Sequence, residues 1–584
     1  MSHTSIPTRS EPAAFCALPI PLPALRKLRA ALAVALALAM PALSAQTLPA
    51  QLPSGAEPGR AAPRPVMPQS SPATPEVTVP SGTATQAPAG ADKLDFTLTA
   101  VDIEGATRYT PEDLRPLYDS LLGKTITVAD AFKIANDIEL RYRGEGYVTT
   151  RIIVPEQTIE GGRFRIIVIE GYISEVVYDG DIGPARQAVE KLVSRLRGMR
   201  PVSVSQIERQ LLLANDLPGL TVRASLEPSP KETGGSVLVV RSQRKAIDAS
   251  LGFDNRNSPY LGSHELLATV SVNSLGAHAD RLTLTGRGST PFSRSKTASA
   301  NYDMLVSDSG MTLGLGMAYA NSVPGRELRD LDVDSDVTAY TATLTYPLIR
   351  SRLENLRAVG QFEARDVSTD IIQTAFTRDR LRVLRFGLSY DRSDSWNGIT
   401  ALRGTVHKGL NALGASSNGS EYASRVNGRS DFLKFTAELT RLQQISEKVS
   451  LVASLAGQYS ANPLLASEEF SLGGGNFGRG YDYGEMSADN GIAASLELRY
   501  APSLPKILPY GSHFYGFVDG GRIWSRSASA EISRSSLSSF GGGMRANLAK
   551  HLFATLEIAK PVSPAVYTKG DKHPRIFFSI AAQY

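Results

Sequence analysis

From about Arg244 to Tyr584 the chain alternates apolar with polar or small residues in one short run after another, and neither a helical period nor a long apolar span interrupts it. In MTLGLGMAY, Met311, Leu313, Leu315, Met317 and Tyr319 share one face, and Thr312, Gly314, Gly316 and Ala318 share the other. TAYTATLTY sets Tyr340, Ala342, Leu344 and Tyr346 against three threonines, and TASANYDM sets Ala298, Ala300, Tyr302 and Met304 against Ser299, Asn301 and Asp303. A period of two is the pleat of a β-strand with two unlike environments on its faces. A soluble sandwich and a membrane barrel both alternate. The barrel is favoured by small and polar residues on one face and by tyrosines at strand ends, such as Tyr319, Tyr346 and Tyr500, which suit an interfacial girdle. At ~10 residues per strand and about as many per connection, this length makes roughly 16 antiparallel strands of a transmembrane β-barrel. Such a barrel pairs every backbone group between strands, which lets it sit in lipid, and it encloses an aqueous lumen.

The N-terminus points the same way. Arg26, Lys27 and Arg29 precede an apolar run ending near Pro41, and small residues continue to Ala45, so residues 1–45 read as a secretory signal peptide. The single cysteine, Cys16, lies ahead of that run, so the mature chain is expected to lack any thiol, excluding disulfide staples, thiol catalysis and cysteine-bound metals. Residues 46–93 are rich in Pro, Ala, Ser and Thr and read as an extended, mobile linker. The 62 basic and 57 acidic residues are dispersed, which gives no support to a nucleic-acid partner.

Between linker and barrel the pattern changes. LDFTLTAVDIEG reads as a strand, and TPEDLRPLYDSLLGK as a helix with Thr110 at the N-cap, Pro111 in the first turn and Asp113 three residues past the cap. Thr127 and Asp130 repeat the device for a second helix that stops at Gly144 and Gly146, and the strands YVTTRIIVP and RFRIIVIEG follow. The same order then returns: strand, helices PARQAVEKLVSRL and SQIERQLLLANDL, then strands TVRASLEPS and GSVLVVRS. Two such units, 94–171 and 172–243, recurring at roughly 75 residues, are duplicated α+β modules. Their sheets have edges, and an unpaired edge can capture an extended peptide by strand addition.

GYVTTRIIVPEQTIEGGRFRIIVIEGYI and NDLPGL resemble the paired POTRA (polypeptide-transport-associated) domains of the two-partner secretion transporters, the haemolysin secretion/activation family. The resemblance covers nearly the whole mature chain and implies a sixteen-stranded outer-membrane barrel, 244–584, with the modules in the periplasm. It also implies a long loop folded into the lumen and carrying an aliphatic-Arg-Gly-aromatic motif, for which GRGY, Gly478, Arg479, Gly480 and Tyr481, stands in this sequence within the stretch 473–491. Gly478 departs from the aliphatic, and Phe477 is the nearest apolar substitute. By the same resemblance, FVDGG supplies Phe517, Asp519 and Gly521, with Asp519 the partner of Arg479. An arginine suits that task because its guanidinium is a permanently charged fork that a carboxylate accepts at two points. The C-terminal RIFFSIAAQY, with Phe578, Ile580 and Tyr584, resembles the signal read by the barrel assembly machinery.

No enzyme is indicated. The seven histidines have no metal-ligand spacing, and neither a nucleophile motif nor a phosphate-cradling loop is visible, so no catalytic residue, metal or cofactor is expected. Glu112 and Asp113 sit in a helix's first turn, where they favour the helix dipole. The expected function is capture of an unfolded secreted protein and its export through the lumen. The partner would be a large β-helical exoprotein, whether cytolysin, adhesin or growth-inhibition toxin, and outer-membrane lipids would surround the barrel. Alternatives are an insertion factor for other barrels, from the same superfamily, and a passive porin-like channel.

Overall fold

The computed structural model describes residues 52–57, 77–78, 86–502, 511–527 and 532–584; the signal peptide read at 1–45 and most of the linker lie outside them. Its described residues form a closed barrel of sixteen antiparallel strands, each bonded to its neighbours in sequence order, from Ile247–Asp254 to Arg575–Gln583. The alternation seen in the sequence becomes two surfaces. Leu315, Met317, Tyr319, Tyr340, Leu344 and Tyr346 are exposed on the outside, as are Leu496, Leu498 and Tyr500, while Ser495 and Glu497 between them are buried toward the lumen. A soluble sheet would hide the apolar set. Here it faces out, as lipid requires.

The ring closes where Ile247–Asp254 pairs with Arg575–Gln583 over five registered residues, Ser250↔Gln583 to Asp254↔Ser579. Main-chain groups of Ala249 and Tyr584 exchange two more hydrogen bonds, at 2.8 and 3.2 Å. Phe578 lies beside Phe253, with ring centroids 5.8 Å apart, and Ile580 and Tyr584 are exposed.

The first module packs Leu98, Ile134, Ile138, Tyr142, Phe164 and Ile166 beneath a three-stranded sheet. Thr110–Asp113 and Thr127–Asp130 both form reciprocal capping boxes, and the long helix runs Val128–Gly144. The helix expected after Thr110 is only Pro111–Leu114, followed by separate 3-10 turns. Pro116 explains the break, since its ring cannot donate to, and clashes with, the preceding turn. The second module sets helices Arg186–Val193 and Val204–Asn215 against strands Tyr172–Gly180, Leu220–Pro228 and Gly235–Arg244.

Arg244 leads directly into the first barrel strand, so turns at that end of the barrel meet the second module. Arg350, the last residue of the sixth barrel strand, is buried and grips Asp216 through two N···O contacts of 2.7 Å. Arg352 pairs with Glu208 at 2.5 Å, and Arg209 donates to the carbonyl of Pro347 at 2.8 Å.

Within the linker read as extended and mobile, two pieces have defined places. Ser54–Ala56 forms a 3-10 turn against the luminal loop, so close that a β-carbon on Gly55 would sit 2.8 Å from the carbonyl oxygen of Tyr483. Val77–Thr78 pairs in parallel with Ala224 and Ser225 at the edge of the second module's sheet. Composition argued against a packed core in this segment. It said nothing about docking on a surface already made.

Candidate functional site

The loop 461–489 joins two barrel strands at the end away from the modules and descends into the lumen. Phe470–Leu472 pairs with Met486–Ala488 as a short hairpin, and the glycine-rich turn lies between them. Its apolar residues Phe470, Leu472, Phe477, Tyr481 and Met486 pack on Ala456, Ala493, Ile523, Leu537 and Val566. Phe477, 2 % exposed, sits where the chain lacks an aliphatic before Arg479. Gly478 has φ +81°, and a β-carbon there would meet Leu537 Cδ1 at 2.6 Å, so an aliphatic residue at this position is both strained and obstructed. At Gly480 a β-carbon would lie 2.7 Å from the backbone nitrogen of Pro561, which shows how closely the loop lies against the barrel wall. The Tyr481 hydroxyl donates toward the Ser538 and Pro564 carbonyls, at 3.0 and 3.1 Å.

Arg479 is the centre of a buried charged cluster. Its Nη1 donates to Glu497 Oε2 at 2.6 Å and lies 3.6 Å from Glu557 Oε2, while Nη2 reaches Ser495 Oγ at 3.1 Å. The guanidinium carbon stands 4.1 Å from the centre of the Phe517 ring, a favourable cation–π placement. Asp519 is 3.4 Å from Nε, but Nε makes no aligned hydrogen bond. The Asp519 carboxylate instead accepts the main-chain N–H of Arg479, at 3.2 Å to Oδ2, and the hydroxyl of Ser539; that hydroxyl oxygen in turn accepts the N–H of Gly480 at 3.1 Å. Two jobs are thus divided: Asp519 holds the loop's backbone, and Glu497 holds the arginine's fork. Gly521, the last residue of that motif, leaves room for Leu472, whose Cδ2 would stand 2.7 Å from a β-carbon.

Glu497 is a hub that the sequence did not single out as a partner. Arg499 and Arg545 each donate to its Oε1 at 2.7 Å, so three arginines converge on one carboxylate that is 2 % exposed. The available signal was parity, because Glu497 falls with Ser495 on the face opposite Leu496 and Leu498. Glu557 is a second such residue, accepting from Tyr515 at 2.7 Å and from Arg256.

A second set of contacts holds the loop elsewhere. Glu468 pairs with Lys434 at 2.7 Å and Arg385 at 3.1 Å, both on the wall. From the neighbouring outer loop, buried Arg425 reaches Glu469 at 3.0 Å and Asp489 at 2.5 Å. The lumen is therefore filled by a segment held by charge and hydrogen bonds, in contact with a piece of the N-terminal linker.

The model of the haemolysin secretion/activation proteins ShlB/FhaC/HecB matches residues 234–546, and that of the ShlB-type POTRA domain matches residues 96–171. The chain is 23 % identical over 493 residues to the heme/hemopexin transporter protein HuxB of Haemophilus influenzae strain 86-028NP, covering 82 % of this chain and 86 % of that one. It is 22 % identical over 500 residues to the outer membrane transporter CdiB of Dickeya dadantii, covering 83 % and 87 %. The solved structure of CdiB from Escherichia coli shares the fold, with a TM-score of 0.71 at 21 % identity, covering 88 % of this chain and 94 % of that one. The barrel accordingly lies in the outer membrane, with the modules on its periplasmic side. Matched over more than half of its length by that family's model, this chain belongs to the haemolysin secretion/activation family of ShlB, FhaC and HecB.

Proposed function

We propose that this protein exports an unfolded secreted partner across the outer membrane through its own lumen, as a two-partner secretion transporter. The observation that carries this reading is a wide closed barrel whose lumen is occupied by a loop held through side chains rather than by a covalent plug, with two modules beside the opposite mouth. A static pore would need no such clamp. The names of relatives, a heme/hemopexin transporter and the hemolysin transporters HpmB and ShlB, agree with it. The cargo we infer is a large β-helical exoprotein, and its folding outside would supply the pull, since the reading needs no bound cofactor and no catalytic step. In this reading Arg479, Tyr481, Phe517 and Asp519 hold the loop, Gly478, Gly480 and Gly521 let it approach the wall, and Phe578, Ile580 and Tyr584 are read by the barrel assembly machinery. The modules 94–171 and 172–243 would capture the cargo. Deleting residues 94–243 is expected to abolish export while the barrel still inserts, as judged by heat-modifiable migration on gels. Normal export by that truncation would remove the capture role.

A further inference from the structure

The barrel strands His513–Trp524, Arg534–Ala549 and Leu552–Ser563 run side by side, and parity sorts their side chains. Val518, Phe540, Ile558 and Val562 are exposed to lipid, whereas Asp519, Ser539 and Glu557 are buried toward the lumen. On the lipid side, toward the strand ends away from the modules, stand Arg522, Arg534 and Lys560, all exposed. Arg522 lies opposite Ser536, the next outward residue after Arg534, and Lys560 lies opposite Phe540, so the exposed hydroxyls of Ser536 and Ser538 stand between the three cations. Among the described residues no side chain bonds or pairs with any of these cations. At a corresponding height elsewhere on the barrel, outward cations are matched, Arg378 by Asp370 and Arg382 by Asp366. A charged side chain on the lipid face is costly in the apolar band and tolerable near its boundary, where its head can reach water or an anion. Three unmatched cations on adjoining strands, with apolar residues directly below, make a surface that fits an amphiphile with an anionic head.

We propose that Arg522, Arg534 and Lys560, with the hydroxyls of Ser536 and Ser538, bind the phosphorylated headgroup of a glycolipid of the outer leaflet, whose acyl chains lie down over Val518, Phe540 and Ile558. Each guanidinium offers two parallel donors to phosphate oxygens, the lysine adds a point charge, and the two hydroxyls donate between them. The apolar side chains below the cations select a lipid over a free anion, which would gain nothing from them. The same three strands carry Asp519 and Ser539 on their inner side, so the lipid lies against the outside of the wall on which the luminal loop is held. The site is independent of whether the barrel exports anything.

The test titrates the full chain, purified from the outer membrane in a non-ionic detergent, with bisphosphorylated lipid A and reads bound lipid by native mass spectrometry. The parent is expected to hold the lipid, and Arg522→Gln with Lys560→Gln to weaken it about tenfold or more, since each cation close to an anionic headgroup contributes roughly a fivefold factor. Lys296→Gln with Arg380→Gln removes the same charge from exposed positions on other strands and is expected to bind like the parent. Equal binding by the Arg522 and Lys560 variant and the parent would overturn the site, and so would an equal loss in the Lys296 and Arg380 variant, which would reveal only attraction to net charge. Lipid A stripped of its phosphates should bind the parent as weakly as intact lipid A binds the Arg522 and Lys560 variant. That comparison needs no variant to fold, and equal binding of the two lipids by the parent overturns the proposal by itself. Inorganic phosphate should not displace the lipid; displacement would assign the cations to a free anion and overturn the lipid site.

Discussion

Replacing Arg479 with alanine leaves Glu497, Asp519 and Glu557 facing a space that held their shared cation. Glu497 keeps Arg499 and Arg545 and Glu557 keeps Arg256 and Tyr515, so the loss is that of the arginine's own hydrogen bonds, about 1–3 kcal/mol, and the loop is expected to become protease-sensitive and export to fall while the barrel still assembles. Arg479→Lys should rescue poorly, because an ammonium cannot meet Glu497 and Ser495 together while lying over Phe517. A charge exchange, Arg479→Asp with Asp519→Arg, is expected to fail as well. It would set the new carboxylate against Glu497, which holds the fork at 2.6 Å, and it would take away the acceptor of the loop's main-chain N–H. Limited proteolysis of intact cells and the amount of cargo in the medium check all three variants; wild-type protection in Arg479→Ala would show that the cluster does not hold the loop. Motif residues such as Arg479 and Asp519 could be found because they stand in short, recognisable strings. The partnership of Glu497 and Glu557 with the arginine could not, since a glutamate in an alternating strand looks the same whether its inward face meets water or three arginines.

The element that closes the first module is Glu170, just past the strand Arg163–Ile169. Its buried carboxylate accepts the N–H groups of Thr107 and Arg108 and the hydroxyl of Tyr142, each at 2.8 Å, and also the Thr107 hydroxyl. Burial works to raise its pKa, but the hydrogen bonds donated by Thr107, Arg108 and Tyr142 outweigh burial and hold it below the ordinary value. A lowered pKa stabilises the fold at pH values above the unfolded glutamate's, about 4.3, and that stabilisation is lost as the pH falls below it. Glu170→Gln should therefore destabilise the module by about 1–3 kcal/mol at neutral pH and flatten its acid unfolding, measured by denaturant melts across pH. Restoration of parent stability by glutamine would show that charge plays no part. At this scale the sequence was informative wherever a local rule decides. Both threonine caps stand as spacing indicated, and Pro116 ended a helix that its neighbours would have continued. It was silent on Glu170, whose main-chain donors lie more than sixty residues away.

For the whole molecule, periodicity and length were enough to indicate a closed barrel of about this size, because lipid outside and water inside write themselves into every strand. The same rule cannot show what fills the lumen or where a linker rests, since neither leaves a period. The exposed C-terminal Tyr584 belongs to the assembly reading: Tyr584→Ala should slow insertion without altering the final barrel, because only main-chain groups of that residue bond to Ala249. A pulse-chase of the heat-modifiable form would show it, and an unchanged rate would remove Tyr584 from the signal. The closing seam also sets the order of events in time. Its partners stand more than three hundred residues apart, Ser250 opposite Gln583, whereas every other neighbouring pair of barrel strands is also consecutive in the barrel's sequence order. Contacts between such distant partners form slowly, since a long loop must be closed before they return anything. Until that late pairing forms the sheet is an open ribbon, and the luminal loop and the linker turn at Gly55 can settle against the wall from the side, before the ring shuts around them.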